Sequence, residues 1–272
     1  MTDSACDLRG EEVEQLSIEI VPLSIRFGDD EYVDREQLTV EQFYSLLADS
    51  ETLPETAAPS PGAFAAAFQR HLDAGASAVV CINLSAAVSA TMQSAITAAE
   101  TVDGDIRVVD SKSVTAGQGG IVLAAARAAA QGASADEVVA IAESAAERTH
   151  VFGALDTLEN LQKGGRIGNA QALLGSMLSI KPIIDISSGE VEEAGKQRTR
   201  KKSLAWLRDK LHEFGEIEEL AIMHGQAPDI EDFVAMLSEI TDVDTARVEV
   251  IGPVVGTHGG PRVIGFSFMV KA

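Results

Sequence analysis

The segment "AVVCINLSAAVSATMQSAITAAE" (residues 78–100) decides the fold class of this chain. Residues 78–84 are mostly apolar and predict a strand buried on both faces, and residues 89–100 predict an alanine-rich helix. The alternation continues with a strand predicted at 106–110 and a helix after it. This order is typical of βαβ units, so the N-terminal part is predicted to be α/β, with a mostly parallel sheet and flanking helices.

Helix start signals support this pattern. Thr39, Ser60 and Ser134 stand at predicted N-cap positions, directly before residues with helical spacing of apolar side chains. Pro61 falls at a first helical position, and Glu137 has capping-box spacing from Ser134. Three helices are therefore predicted to begin next to these residues.

The pattern changes near residue 150, where strands follow each other more often. One helical pair is predicted at 157–178, and two further helices are predicted near 201–215 and 230–240. The strands are predicted near 151–156, 181–187, 189–195, 220–225, 247–252 and 263–270. We therefore predict two domains, 1–150 and 151–272, the second being α/β with a mixed sheet.

Composition excludes several classes of function. The 272 residues carry a formal net charge of −21, which argues against a general binder of nucleic acids or anionic membranes. No stretch is long and apolar enough for an integral membrane segment, and the acidic first residues do not resemble a signal peptide, so a cytoplasmic location is expected. The sequence does not give the oligomeric state, and a monomer is the default expectation. The chain has no phosphate-loop motif, and its histidines have no metal-site spacing, so neither a nucleotide cofactor nor a metal is predicted. Cys6 and Cys81 are too few for a zinc tetrad, and Cys81 is expected to be buried.

Hydroxyl-rich turns mark a candidate binding edge. They lie at 2–4, 55–62, 84–91 and 110–113, and the last two directly follow predicted strands. Loops at the carboxyl ends of parallel strands gather along one edge, where ligands usually bind. A separate segment, "GPVVGTHGGP" (252–261), predicts a shaped turn that presents His258. The alternatives are that the hydroxyls only cap helices and that His258 only ties loops together.

A series of motifs resembles the DegV family of bacterial fatty-acid-binding proteins. The series runs in the family's order from residue 2 to residue 261. It comprises "TDSACDL", "VPLSIRFGDDEYVD", "TAAPSPGAF", "SAAVSATMQSA", "VVDSKSVTAGQG", "DTLENLQKGGRIG", "LLGSMLSIKPII", "KQRTRKK" and "GPVVGTHGGP".

The resemblance implies a two-domain DegV-like (EDD) fold that holds a long-chain, palmitate- or oleate-like fatty acid between its domains. It implies a carrier without catalytic residues that presents the acid to a fatty acid kinase, which makes acyl phosphate for lipid metabolism. The residues expected near the carboxylate are Thr56, Ser85, Ser89, Thr91 and His258.

The chain departs from the family pattern in two places. The family's second serine is Ala86 here, so Ser85 or Ser89 is expected to take its place. The short apolar strand that normally precedes the TDS motif is missing, and Met1 falls where the family has Val. Its absence is expected to leave neighbouring strands unpaired, which motivates the hypothesis of a start upstream of Met1.

Basic residues form a second candidate surface. The cluster at 196–202 contains Arg198 and Arg200, and Lys163 and Arg166 stand in "KGGRIG". The resemblance implies that these four residues dock the kinase or cover the head group. By itself, such a cluster is equally typical of a solvated helix start or a nucleic-acid patch. The alternative to a carrier is a dihydroxyacetone-kinase-like protein that binds a small carbonyl substrate through His258.

Overall fold

Three β-sheets and their covering helices make up the computed structural model, which describes residues 1–175 and 180–272. The strands are β1 (Thr2–Asp3), β2 (Ile20–Val21), β3 (Ser24–Phe27), β4 (Asp30–Val33), β5 (Glu55–Ala57), β6 (Val79–Asn83), β7 (Ile106–Asp110), β8 (Thr149–Ala154), β9 (Lys181–Asp185), β10 (Glu192–Gln197), β11 (Ile217–His224), β12 (Arg247–Val250) and β13 (Ile264–Val270). The α-helices are α1 (Gly10–Gln15), α2 (Val40–Asp49), α3 (Pro61–Asp73), α4 (Thr91–Ala99), α5 (Thr115–Ala130), α6 (Ala135–Arg148), α7 (Glu159–Lys163), α8 (Arg200–His212), α9 (Ile230–Ser238) and α10 (Pro253–Gly259).

The first sheet is parallel and has the strand order β2-β1-β6-β7. Its helices begin where the sequence predicts, since Ser60 and Ser134 cap α3 and α6 and Ser134 forms a capping box with Glu137. The central strand β1 is present, although it is short: Thr2 pairs with β2 and β6, and the Met1 amino group donates to the Val80 carbonyl oxygen at 2.8 Å. The TDS motif itself thus forms a two-residue strand in the middle of the sheet, and the hypothesis of a start upstream of Met1 stays a prediction.

The second sheet is mixed and has the order β10-β9-β8-β13-β11-β12. Only β11 and β12 run parallel, and the other neighbours are antiparallel. Helices α8 and α9 pack their apolar side chains on one face of this sheet. Helix α5 contacts the other face and also packs against β6 of the parallel sheet, so it lies between the two sheets.

A third, three-stranded antiparallel sheet with the order β4-β3-β5 was not predicted. The sequence analysis placed Thr56 in a turn, but Thr56 lies in β5 and pairs with Ile25 of β3. The segment folds as a strand because the backbone of residues 55–57 pairs with the free edge of β3 in the β3–β4 hairpin. The Pro and Ser residues of this segment do not reveal that pairing. Thr56 is thus held by a sheet instead of a flexible loop.

The segment 252–261 is also corrected, because it contains helix α10 instead of a turn. Pro253 opens the helix, where a fixed φ and a missing N–H are tolerated. Gly256 allows close packing, since a Cβ there would lie 2.9 Å from ring atoms of Phe43 and from the Tyr44 hydroxyl. Gly260, with φ +77°, ends the helix.

The region 157–178, predicted as a helical pair, contains α7 and a 3₁₀ helix at Gly168–Gly175. The rest of that prediction, and part of the "LLGSMLSIKPII" motif, lie outside the described residues. Within residues 1–175 and 180–272, no helix is both long enough and apolar enough to cross a bilayer.

Candidate functional site

A cavity lies on the face of the mixed sheet opposite α8 and α9. Aliphatic and aromatic side chains dominate its wall, with a few polar groups. The lining residues are Leu23, Thr56, Leu84, Val88, Ser89, Val114, Thr115, Val151, Phe152, Gly153, Leu155, Leu161, Arg166, Ile184, Ile186, Val191, Met223, Ile251, Val254, Val255, His258, Gly259, Val263, Gly265 and Phe266.

The polar groups in this wall include a hydrogen-bonded pair from distant parts of the chain. Thr56 Oγ1 lies 2.9 Å from His258 Nε2, which joins β5 to α10. His258 Nδ1 is buried and has no hydrogen-bond partner in the described part of the chain. A buried polar atom without a partner is costly, and this nitrogen faces Gly164, where a Cβ would lie 2.5 Å from it.

His258 is held in its neutral form. Burial, and after it the positive charge of Arg166, lower the pKa of His258 to about 4. A neutral imidazole donates from one ring nitrogen and accepts at the other. When the His258 Nε2–H donates to Thr56 Oγ1, the Thr56 hydroxyl hydrogen is free to donate to a ligand, without a positive charge on the ring.

Arg166 lies in the cavity wall instead of on a free surface. Its guanidinium donates to the carbonyl oxygens of Val88 and Gly164, at 3.2 and 2.7 Å. The sequence analysis grouped it with residues for partner docking or lid formation. Its position places a fixed cation beside Thr56 and His258.

The serine turn contributes one of its three predicted residues to the cavity wall. Ser89 lines the cavity, and its Oγ lies 2.9 Å from Thr91 Oγ1. Ser85 is buried and donates to the Gly189 carbonyl oxygen at 2.6 Å. Ser85 and Thr91 are not among the lining residues, so Ser89 is the one of the two candidate serines that borders the cavity.

The other basic residues do not gather at the cavity. Lys163 forms an ion pair with Glu159 at 2.5 Å and borders a second cleft, which shares Thr56 and His258 with the cavity. Arg200 is committed to Asp229, with two hydrogen bonds of 2.8 and 2.9 Å. Arg198 is exposed.

Thr115 is a lining residue that the sequence analysis missed. It stands at the start of α5 with φ +49°, and its hydroxyl donates to Asp7 Oδ2 at 2.6 Å. The "DSKS" turn at 110–113 pointed to this region, but the strain at Thr115 depends on contacts that a sequence pattern does not reveal. Among the described residues, no three His, Cys, Asp or Glu side chains are grouped as a metal site would require.

The fold and site define an α/β protein that encloses an apolar cavity with a polar end. A sequence model of the DegV family, described as an uncharacterised protein family, matches residues 1–271. The chain belongs to the DegV family.

Relatives in this family are similar over nearly their whole length. A DegV domain-containing protein of Listeria monocytogenes is 32% identical over 278 residues, which cover 100% of this chain and 98% of the relative. One from Streptomyces coelicolor is 33% identical, with 97% of this chain and 95% of the relative covered.

Solved structures of the family have the same fold. A fatty-acid-binding DegV family protein of Thermus thermophilus superposes on this chain with a TM-score of 0.89 at 31% identity. The superposition covers 99% of this chain and 98% of the Thermus chain. A stearic acid-binding protein of Eubacterium ventriosum gives 0.88 at 28% identity, with 99% and 97% covered. These likenesses confirm the predicted fold class.

Proposed function

We propose that this protein binds a long-chain fatty acid, with the acyl chain in the apolar cavity and the carboxylate beside Thr56, Ser89 and His258. The observation that carries the proposal is the cavity itself, which is lined mainly by apolar side chains and has the Thr56–His258 pair in its wall. The fatty acids bound by the relatives from Thermus thermophilus and Eubacterium ventriosum support it.

The energetics of such a ligand suit the cavity. Burial of a methylene contributes about 0.8 kcal/mol, so about a dozen methylenes supply about 10 kcal/mol before the costs of association. A buried carboxylate is costly unless hydrogen-bond donors meet it. The hydroxyls of Thr56 and Ser89 are such donors, with His258 Nε2–H donating to the Thr56 oxygen, and the nearby Arg166 adds a favourable charge.

Native mass spectrometry of protein purified from bacteria tests this proposal. We expect a co-purifying acid of sixteen to eighteen carbons in the wild type. Thr56→Val removes a hydrogen bond to a charged group, worth about 1.5–3 kcal/mol, and should weaken binding about ten- to a hundredfold. The matched control is Thr97→Val, because Thr97 is exposed on α4 and donates only to the Gln93 carbonyl oxygen.

Two outcomes of this experiment count against the carrier. Equal retention of acid by the Thr56→Val variant and the control would exclude the Thr56–His258 end as the carboxylate site. A protein without lipid that instead becomes covalently labelled by dihydroxyacetone at His258 would support the alternative, a small-carbonyl binding protein.

We further propose that the carrier performs no chemistry itself and presents the carboxylate to a fatty acid kinase that forms acyl phosphate. The cleft beside Lys163 supports this, because it borders Thr56 and His258 from outside the apolar cavity. Charge reversal of exposed Arg198 should lower acyl phosphate formation by a bacterial fatty acid kinase and leave acid binding unchanged. Loss of acid binding in this variant would refute a docking role. A cytoplasmic location, a monomeric state and the two-domain division at residue 150 remain predictions.

A further inference from the structure

The cavity floor contains a row of four residues that crosses four neighbouring strands. Ile184 of β9 pairs with Gly153 of β8, Gly153 pairs with Gly265 of β13, and Gly265 pairs with Met223 of β11. All four residues line the cavity. The row thus has bulky side chains at its two ends and none at its two central positions.

The paired glycines open a trough in the sheet. Neighbouring strands lie about 4.8 Å apart, so two adjacent positions without side chains leave a channel about 10 Å wide between Ile184 and Met223. The flanking cavity-lining positions, Val151 in β8 and Leu155 directly after it, carry side chains. The glycine pair thus leaves no side chain between Ile184 and Met223 in this part of the cavity wall.

The two glycines differ in what they would tolerate. A Cβ at Gly265 would overlap the Phe152 carbonyl oxygen, so close backbone packing requires glycine there. A Cβ at Gly153 would have its nearest neighbours at 3.8–3.9 Å, from Ile184, Ile264 and Val263, which is ordinary van der Waals contact. Gly153 also has no positive φ that would demand glycine. Local packing and backbone conformation therefore do not explain why residue 153 lacks a side chain.

We infer that Gly153 is a specificity-determining residue, whose missing side chain keeps the channel open for the acyl chain of a long fatty acid. This inference rests on the proposed fatty acid binding. A side chain at position 153 would stand in the trough and occupy the volume that the methylenes need. Because protein interiors are close-packed, even one added methyl group weakens the binding of a ligand that fills the space.

A graded series of substitutions at position 153 tests this inference. Fatty-acid-free wild type, Gly153→Ala, Gly153→Val and Gly153→Leu are titrated with stearate, and each variant's Tm is measured without ligand. We expect affinity to fall with side-chain size, by about tenfold for Ala and about a hundredfold for Leu. The Tm of the unliganded Gly153→Ala variant should not fall, because alanine is favoured over glycine in a strand.

The controls separate this inference from the proposed function. Gly10→Ala serves as the matched control, since a Cβ there would meet nothing within 4 Å. Wild type that does not bind stearate would overturn fatty acid binding itself. Wild type that binds stearate, together with a folded Gly153→Ala or Gly153→Leu variant of equal affinity, would overturn the role of Gly153 alone. Should Gly153→Leu fail to fold, the Ala variant decides the question.

Discussion

Asp7 shows how the buried surroundings of one residue change its chemistry. Its carboxyl accepts the Thr115 hydroxyl hydrogen bond at 2.6 Å and lies against Gly252, next to the start of α10. Burial raises the pKa of Asp7 to about 6, and the hydrogen bond from Thr115 and the charge of Arg35 oppose this rise. Asp7 therefore joins the first sheet to the cavity wall and to the His258 helix, at the cost of burying a carboxylate.

Asp7→Asn should change the pH dependence of stability. Between its unfolded pKa of 3.8 and its folded pKa of about 6, the native state holds a proton that the unfolded state releases. The contribution of Asp7 to stability therefore falls as pH rises through this window, by up to about 3 kcal/mol. We expect Asp7→Asn to be more stable than the wild type at pH 8 and to lose this advantage at pH 4.

Denaturant unfolding at pH 4, 5, 6 and 8 measures this effect. The difference between variant and wild type is the relevant quantity, because the other titrating groups contribute to both proteins and cancel. A difference that stays constant from pH 4 to pH 8 would show that Asp7 does not titrate as described.

At the scale of single elements, local chemistry predicts some boundaries and misses others. Ser60 and Ser134 cap α3 and α6 as predicted, because a side-chain oxygen satisfies N–H groups within the same segment. Helix α10 was missed because its glycines suggest a turn by themselves, whereas Gly256 serves close packing against Phe43 and Tyr44. The strand β5 was missed for a similar reason, since it forms only where β3 offers an edge.

The contact between α7 and α10 positions the histidine of the site. Asn160 of α7 donates to the Thr257 carbonyl oxygen at 3.0 Å. Gly164, which directly follows α7, lies against the His258 ring: a Cβ there would be 2.5 Å from His258 Nδ1 and 3.0 Å from the Asn160 carbonyl oxygen. The absence of a side chain at residue 164 thus allows the imidazole to reach Thr56.

Gly164→Ala should displace His258 and weaken fatty acid binding about tenfold, because the added methyl group overlaps the ring and breaks its hydrogen bond to Thr56. Titration with a fluorescent fatty acid measures the change. Gly215→Ala is the control, since residue 215 lies in a loop where a Cβ would meet nothing within 4 Å. Unchanged affinity in Gly164→Ala would mean that the position of the imidazole does not matter for binding.

At the scale of the whole molecule, the cavity depends on contacts between remote segments. Thr56 and His258 are 202 residues apart in sequence, and the row of four residues beneath the cavity comes from four different strands. The sequence analysis identified Thr56, Ser89 and His258 through motifs that resemble those of the DegV family. It did not distinguish the aliphatic side chains of the wall from those of the core, because both follow the same periodicity and only tertiary packing separates them.

The cavity is lined by residues from several elements of the fold, so ligand binding is linked to global stability. A ligand that binds only the folded state stabilises it by about 2.7 kcal/mol when its free concentration is a hundred times Kd. For a chain of this size, each kcal/mol shifts Tm by roughly 2–4 °C. We therefore expect removal of bound lipid to lower Tm by about 5–10 °C.

Thermal unfolding before and after lipid removal, and again after oleate is added, measures this shift. Added oleate should restore Tm in the wild type but much less in Thr56→Val, because the variant loses a donor to the buried carboxylate. Methyl oleate is the matched ligand, with the same acyl chain and no charge. The difference between the Tm increases that oleate and methyl oleate produce therefore reports the carboxylate contacts. If both ligands raise Tm equally in the wild type, the polar end of the cavity adds nothing to binding beyond burial of the chain.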